Sequence, residues 1–372
     1  MIKILFLIHD LGQGGAEKVL VNLVNNMDLT KFDISVIALF GGGVNEQFLR
    51  PEIHYCSIFS KMIPGNSRIM KIFSPDLLHK WFIKEKYDIE ISYLEGPSAR
   101  IISGCPDNTT KLVSWIHVEQ HTMKNLAYAF RNCKEAVKCY NRFDKTICVS
   151  EFVRNDFCSI LKYQGNSMVL YNTIESEKVR EKALEKEYCL KSDGKIRLVA
   201  VGTLKESKGY ERLLRIIKKL YVERYPIHLY ILGEGPFRKE MEHYICENGL
   251  EDTITLLGYQ TNPYKYVAKS DLLVCASFAE GFSTAVTEAL ILGTPVCTVD
   301  VSGMRELLGN NDEYGIVTEN NEEALYQGIK KLLNDKELLE YYKKQTQYRG
   351  NKFKTRTTVK AVEKMLLECA EA

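Results

Sequence analysis

Two glutamates flank a short segment that could bind a phosphorylated sugar. Seven residues separate Glu280 from Glu288, and Gly281, Phe282, Ser283 and Thr284 would begin a helix between them. Backbone amides at a helix N-terminus bind anions with the help of the helix dipole. We predict that these amides hold phosphate, that Glu288 binds a ribose diol and that Glu280 faces a sugar. The spacing alone leaves an alternative open, in which Glu280 caps the helix and Glu288 lies on the surface.

A second loop carries two lysines between a predicted strand and a predicted helix. Gly202 allows the backbone to approach a ligand closely, and Lys205 and Lys208 offer positive charge to phosphate oxygens. Taken alone, this loop could equally be a solvated turn with two surface lysines.

The first glycine loop and one histidine are weaker signals. Gly12 and Gly14 match the start of a dinucleotide fingerprint, but Glu17 stands where its third glycine belongs. A carboxylate there would repel a pyrophosphate, which argues against a nicotinamide cofactor. The loop could also be a plain strand-to-helix turn. His117 follows a predicted strand, and an isolated histidine of this kind is more often structural.

The elements that must position these residues alternate between strands and helices. Ile2 to Ile8 is a nearly continuous apolar run, typical of a parallel strand buried on both faces, and Ala16 to Met27 has helical periodicity. The other predicted strands are Ile34 to Leu39, Ile89 to Tyr93, Lys111 to Trp115, Lys145 to Val149, Val169 to Asn172, Ile196 to Val201, Ile227 to Leu232, Leu272 to Cys275 and Pro295 to Val299. The pattern predicts an α/β fold with two facing, doubly wound parallel sheets of the Rossmann type. Ligands of such sheets bind beyond the carboxyl ends of the strands, so a cleft between the two is the expected site.

The two halves divide the chain into predicted domains. We assign residues 1–174 to an N-terminal domain, 175–195 to a charged linker and 196–352 to a C-terminal domain. The helical tail at about 353–372 is expected to pack back on the first domain.

Composition excludes several classes of protein. The formal net charge of +2 over 372 residues lacks the basic excess of a dedicated nucleic-acid binder. The eleven cysteines form no C-x-x-C pair, which favours reduced thiols and a cytoplasmic location. The chain contains no apolar run long enough to span a bilayer, so any membrane contact is expected to be peripheral.

Together the motifs resemble a known family. Glu280 to Glu288 resembles the E-x7-E motif of the retaining family 4 glycosyltransferases, which have the two-domain GT-B fold. Gly202 to Gly209 is similar to their G-x-L-x-x-x-K-G loop. Further segments match in the same order: Gly14 to Glu17, Gly233 to Pro236, Leu257 to Tyr259 and Leu292 to Val296. The resemblance covers nearly the whole chain and includes group 1 transferases of bacterial surface polysaccharides and lipid-linked glycans.

The resemblance implies that the N-terminal domain binds the acceptor and the C-terminal domain binds the donor, and it implies a role for each matching residue. His117, Glu280 and Lys208 would be catalytic: Lys208 would hold the donor diphosphate, while His117 and Glu280 would face the donor sugar. The donor-binding set would be Gly14, Gly15, Gly202, Thr203, Lys205, Lys208, Gly233, Gly235, Tyr259, Gly281, Phe282, Ser283, Thr284 and Glu288. Family members often have arginine at the position of Thr203, so a phosphate contact is missing here unless Lys205 supplies it.

The resemblance also implies the reaction. A sugar would pass from a nucleotide diphosphate, by default a UDP-sugar, to a hydroxyl of a glycan or lipid-linked acceptor, with retention of configuration. No cofactor is expected, and no metal, because the chain contains no D-x-D triplet. Alternatives are a sugar-nucleotide epimerase or a phosphorylase on the same fold, or a non-catalytic donor-binding subunit.

One stretch of the first half combines basic and apolar residues. Its basic members are Lys61, Arg68, Lys71, Lys80, Lys84 and Lys86, and its apolar members are Ile69, Met70, Ile72, Phe73, Leu77, Leu78, Trp81 and Phe82. Pro75 is expected to divide the stretch into two short helices. This combination suits peripheral binding to the inner face of an anionic membrane. The alternative, favoured for Leu77, Leu78 and Phe82, is an ordinary helix packed on the sheet.

Overall fold

The computed structural model describes residues 1–61, 70–185, 190 and 194–371. Arg68, Ile69 and part of the predicted linker lie outside this range. The chain divides into two compact units, Met1–Thr173 together with Thr355–Ala372, and Ile174–Lys354. Each unit is built around its own parallel sheet.

The first unit contains a seven-stranded sheet. Its strands are β1 (Ile2–Ile8), β2 (Phe32–Phe40), β3 (His54–Phe59), β4 (Ile89–Ser92), β5 (Lys111–Ile116), β6 (Lys145–Cys148) and β7 (Ser167–Val169). They are parallel and run in the order β3-β2-β1-β4-β5-β6-β7. Burial explains the apolar runs, since Ile4 to Ile8 in the middle of the sheet have no exposed surface.

The helices of the first unit begin close to the carboxyl ends of its strands. They are α1 (Gly15–Asn26), α2 (Pro75–Phe82), α3 (Pro97–Ile102), α4 (Met123–Leu126), α5 (Cys133–Tyr140) and α6 (Glu151–Leu161), and the C-terminal α15 (Thr355–Glu371) joins them. Helix α15 packs against α1, where the amide of Asp28 donates to Glu363 at 2.7 Å. Ser74 caps α2 and Pro75 occupies its first turn, which suits a residue without an N–H group.

The second unit contains a six-stranded sheet with the order β10-β9-β8-β11-β12-β13. These strands are β8 (Ile196–Val201), β9 (Ile227–Leu232), β10 (Ile254–Gly258), β11 (Leu272–Cys275), β12 (Val296–Val299) and β13 (Ile316–Thr318). The helices are α7 (Ser176–Ala183), α8 (Tyr210–Val222), α9 (Arg238–Glu247), α10 (Tyr264–Val267), α11 (Thr284–Leu292), α12 (Met304–Leu308), α13 (Glu322–Asn334) and α14 (Lys336–Gly350).

The structure confirms the α/β class with two parallel sheets. Some of its strands differ from the predicted ones. The strand predicted at Val169 to Asn172 ends at Val169 and begins earlier, at Ser167. Strands β3, β10 and β13 were not predicted. Strand β3 lies at a sheet edge with three of its six residues exposed, so it has no continuous apolar run.

The stretch that the sequence predicts as a linker contains a packed helix. Helix α7 lies against α10 and α11 of the second unit. The side chain of Asn262 donates to the carbonyl oxygen of Lys182 at 2.9 Å, and Arg180 donates to Asn351 at 3.2 Å. The described residues of this stretch therefore form part of the second unit.

A buried polar network joins helix α2 to strand β4 in the first unit. His79 Nε2 lies 2.8 Å from Glu90 Oε2, and the thiol of Cys105 lies 3.8 Å from the other oxygen of Glu90. Burial lowers the pKa of His79, but its hydrogen bonds with Cys105 and Glu90 outweigh burial and raise the pKa to about 9. The histidine is therefore a cation paired with Glu90 at neutral pH.

None of the helices in the described parts of the chain is both long enough and apolar enough to cross a membrane.

Candidate active site

In the second unit, neighbouring strand ends bring Lys208 and Glu280 together. Strands β8 and β11 are adjacent in the sheet, and each leads into a loop and then a helix. Lys208 Nζ lies 2.6 Å from Glu280 Oε1, and the hydroxyl of Ser277 donates to the same oxygen at 2.6 Å. Two residues predicted from separate motifs therefore form one partly buried ion pair.

The pair leaves Lys208 able to bind a further ligand. An ammonium group has three donors, and the contact with Glu280 uses one. The remaining donors can meet phosphate oxygens, while Glu280 keeps the flexible lysine side chain in place. The arrangement therefore suits a ligand that combines negative charge with hydroxyl groups.

Glycines allow these loops to approach each other. Gly209 has a φ of +65°, and a Cβ atom there would collide with the carbonyl oxygen of Ala276. Gly233, with a φ of +147°, likewise packs against the carbonyl oxygen of Gly202. A side chain at Gly209 would push the loop of Lys208 away from the loop of Glu280.

Arg212 fixes the loop that carries Glu280, a role that the sequence analysis missed. Its guanidinium is buried and donates to the carbonyl oxygens of Ala276 at 2.8 Å and Ser277 at 2.9 Å. It also lies 4.0 Å from the ring centroid of Phe278. The signal in the sequence was an arginine among the apolar residues of α8, where an unpaired charge would be costly.

Helix α11 begins directly beyond this loop, and its cap is Ser283. The Ser283 hydroxyl accepts from the amide of Val286, so Glu280 is not the capping residue. Glu288 is only 4% exposed, and the hydroxyl of Tyr264 donates to it at 3.4 Å. The alternative that placed Glu288 on the surface is therefore wrong, and a buried carboxylate stands in the second turn of α11.

The other donor-binding residues predicted in the second unit follow the carboxyl ends of its strands. Thr203 and Lys205 are exposed in the loop before Lys208. Tyr259 is exposed just after β10, next to Gly258, whose carbonyl oxygen accepts from the amide of Gly233 at 2.8 Å. Gly202 follows β8, Gly235 follows β9, Gly281 and Phe282 lie in the loop after β11, and Thr284 is the first residue of α11.

In the first unit, His117 lies buried at the end of β5. Its Nε2 atom has no hydrogen-bond partner among the described residues. Burial lowers the pKa of His117 to about 3, although a hydrogen bond with the backbone of Tyr93 acts in the opposite direction. The ring is therefore neutral at physiological pH. Its Nε2 atom could form one hydrogen bond with a ligand.

Glu95 shares this sheet edge and was missed by the sequence analysis. Its carboxylate accepts from the amide of His117 at 3.1 Å and from the side chain of Gln120 at 3.3 Å. Burial raises the pKa of Glu95 to about 7, against the effect of these hydrogen bonds. The available signal was an acidic residue shortly after the predicted strand Ile89 to Tyr93, since residues beyond the carboxyl ends of parallel strands lie close together.

Gly14 and Gly15 stand at the start of helix α1, close to the carboxylate of Glu17. Gly14 is the N-cap, and a Cβ atom on it would collide with the carboxylate of Glu17. An approaching anion would therefore meet a negative charge from the helix itself. A hydroxyl-bearing ligand suits this position better than a phosphate.

Comparison with known proteins identifies the family of the chain. Residues 13–178 match the family model described as Glycosyltransferase Family 4, and residues 182–349 match Glycosyl transferases group 1. An N-acetylgalactosamine-N,N'-diacetylbacillosaminyl-diphospho-undecaprenol 4-alpha-N-acetylgalactosaminyltransferase of Campylobacter jejuni is 31% identical over 95% of this chain and 96% of its own length.

A second relative and a solved structure extend the comparison. A GalNAc-alpha-(1->4)-GalNAc-alpha-(1->3)-diNAcBac-PP-undecaprenol alpha-1,4-N-acetyl-D-galactosaminyltransferase of the same organism is 24% identical over 90% of each chain. The crystal structure of Anabaena HepE in complex with UDP has a TM-score of 0.75 at 19% identity, over 99% of this chain and 100% of that one. That likeness supports the fold.

Proposed function

The chain belongs to the group 1, family 4 glycosyltransferases of the GT-B fold, and on this premise we propose that it transfers a sugar from a UDP-sugar to a lipid-linked glycan. The predicted family and fold class are confirmed. The donor, the acceptor and retention of configuration are our proposal.

The ion pair between Lys208 and Glu280 is the observation that carries the proposal. In glycosyl transfer, negative charge develops on the departing diphosphate while the transferred sugar gains oxocarbenium-ion character. Lys208 and the amides at the start of α11 would stabilise the leaving group, and Glu280 would bind the donor sugar. Glu288, buried one turn further on, would bind the ribose.

Known proteins support the choice of substrates. The solved HepE structure contains UDP, and the two Campylobacter relatives are named for acceptors linked to undecaprenol through a diphosphate. We therefore propose a UDP-sugar donor and a diphospho-undecaprenol-linked glycan as acceptor, in the synthesis of a surface polysaccharide or glycoconjugate. The N-terminal unit would hold the acceptor and His117 would face the donor sugar.

A lipid-linked acceptor requires access to a membrane surface, and one face of the first unit suits this. Ile72 and Trp81 are 70% and 43% exposed, and Lys80 and Lys84 are exposed beside Trp81 on and after α2. Leu78 is buried in the core, as the alternative for that residue expected. We propose that the exposed residues bind the cytoplasmic face of an anionic membrane peripherally.

We propose that transfer needs no metal and no cofactor. Among the described residues, the one set of three ligand-type side chains within 4.8 Å of one another is His79, Glu90 and Cys105, on the network that joins α2 to β4. That set lies in the other unit from Lys208 and Glu280. Activity is expected to survive EDTA, whereas complete loss that magnesium or manganese restores would contradict the metal-free mechanism.

The function is tested with purified protein, a panel of UDP-sugars and diphospho-undecaprenol-linked saccharides. We expect one donor to be consumed and the lipid-linked saccharide to gain one sugar. The anomeric coupling in the product NMR spectrum then tests retention. Conversion of the sugar nucleotide into another one, without transfer, would indicate an epimerase. If every donor is neither transferred nor hydrolysed, the result would favour the non-catalytic subunit.

A further inference from the structure

Glu95 connects the ends of two neighbouring strands in the first unit. It lies beyond β4, and its carboxylate accepts from the amides of His117 and Val118, which follow β5. Gln120, further along the same loop, donates to it at 3.3 Å. The ring of His117 in turn forms a hydrogen bond with the backbone of Tyr93, two residues before Glu95. The segment at the end of β4 thus contacts both the backbone and the ring of the histidine loop.

We propose that Glu95 is a positioning residue, whose ionised carboxylate holds the loop after β5 so that the unpartnered Nε2 atom of His117 is presented to the substrate. Its catalytic consequence rests on the function proposed above. All of the contacts that Glu95 makes with this loop come from N–H donors, which favour the ionised form. Protonation would place an O–H group against these donors and loosen the loop.

The surroundings of Glu95 oppose its ionisation. Burial is the largest influence and raises its pKa to about 7, so both forms are present near neutral pH. The titratable groups around it come from several elements: His117 and His121 after β5, Tyr128 after α4, Tyr140 on α5, Cys148 on β6 and Asp156 on α6. None of these groups is a lysine or arginine that would offset the buried charge.

This cost distinguishes Glu95 from a residue that only stabilises the fold. Its pKa in the folded protein lies above the ordinary value of 4.5, so the folded state binds the proton more tightly than the unfolded state. Its contribution to stability therefore declines as pH rises from about 4.5 to about 7. A neutral isostere removes this penalty, and Glu95→Gln should be at least as stable as the parent at pH 8.

The test compares Glu95→Gln with Glu151→Gln, which makes the same change at an exposed glutamate on α6. We expect Glu95→Gln to lower turnover by on the order of tenfold to a hundredfold at pH 8 while remaining folded. The parent and Glu151→Gln should lose activity as pH falls below about 7. In Glu95→Gln, activity should not decrease over this pH range.

A second measurement is independent of activity. The NMR signals of the His117 ring, assigned with a His117→Asn variant, should shift with an inflection near pH 7 in the parent but not in Glu95→Gln. An inflection that survives in Glu95→Gln, or a loss of turnover that only follows a loss of folded protein, would overturn the positioning role. The parent could also lack transferase activity while its His117 signal shows the inflection that Glu95→Gln abolishes. That outcome would contradict the proposed function and support this inference.

Discussion

At the scale of single residues, one carboxylate oxygen of Glu280 contacts both Lys208 and Ser277. It holds the cation that we propose binds the leaving group, and it belongs to the carboxylate that we propose binds the donor sugar. A change at Glu280 should therefore affect the chemical step more than the binding of nucleotide alone.

Glu280→Gln tests this expectation. The amide can still accept from Ser277 but no longer carries the charge that orients Lys208. Turnover should fall by about 10²-fold or more, whereas the Kd for UDP should change much less. Steady-state kinetics and calorimetry measure the two effects, with Glu211→Gln on the exposed face of α8 as the matched control. Unchanged turnover would refute the role of Glu280.

Lys208→Ala should act mainly on binding. Removal of the ammonium deletes charge-assisted contacts with phosphate, which should weaken UDP binding by about tenfold and leave uridine binding unchanged. Lys205→Ala, in the same loop, is the informative comparison. A greater loss in Lys205→Ala would show that Lys205 takes the place of the arginine absent at Thr203.

The residues that could be predicted from sequence differ in kind from those that could not. Lys208 and Glu280 are each followed directly by a glycine, and Glu288 stands at the E-x7-E spacing from Glu280, so the local sequence carries a signal. Arg212 and Glu95 do not, because their roles come from partners distant in sequence. Arg212 acts on carbonyls 64 and 65 positions later, and Glu95 on an amide 22 positions later.

At the scale of elements, the buried network of His79, Glu90 and Cys105 joins α2 to the sheet and should make stability depend on pH. The pKa of His79 is about 9 in the folded protein against an ordinary value of 6.5. Because the folded value is the higher one, this stabilisation is fully present below about pH 6.5 and is lost as pH rises through about 9. The unfolding free energy of the parent should decline over that interval.

Glu90→Gln should weaken this dependence, because Glu90 is one of the two groups that raise the pKa of His79. Breaking a buried ion pair on one side leaves the other charge without compensation and should cost about 3 kcal/mol at pH 6. Urea denaturation from pH 6 to pH 9.5 measures both effects. Glu85→Gln, in an exposed pair with Lys3, serves as control and should leave stability nearly unchanged. A Glu90→Gln variant with the parent's pH profile would contradict the assignment.

Element prediction succeeded where one physical signal dominated. Strands such as β1 and β9 are buried along nearly their whole length, so their apolar runs were conspicuous. Strand β13 has three residues, and β10 is mostly half-buried with an irregular register next to β9. Such segments become strands because a neighbouring strand offers hydrogen bonds, which no local pattern records.

At the scale of the whole molecule, the first unit combines two segments that are distant in the chain. Helix α15 belongs to the first unit although it follows the entire second unit. Local periodicity predicts that this tail is helical, but it cannot indicate the sheet on which the helix packs.

The proposed membrane face is also a property of the whole molecule, since it depends on which side chains the first unit leaves exposed. The guanidinium of Arg131 donates to the carbonyl oxygens of Lys71 and Ile72, each at 2.7 Å, and holds this segment on the unit. The ring of Phe73 contacts Trp81 at 4.8 Å between centroids. Ile72 and Trp81 can therefore enter the interface without unfolding the segment, while the lysines attract anionic headgroups.

Reversal of Lys71, Lys80 and Lys84 to glutamate should release the protein from anionic liposomes. Each basic residue near such a surface contributes about 1 kcal/mol, so the loss of three should lower partitioning by about a hundredfold or more. Sedimentation with phosphatidylglycerol vesicles measures this, and transfer to a soluble acceptor should be retained. The control reverses Lys218, Lys239 and Lys344, which are exposed on the second unit, so that net charge changes equally. The two variants differ only in the location of the reversed charges. Equal sedimentation of both would therefore show that net charge alone determines vesicle binding. A parent that does not bind the vesicles would refute the membrane face.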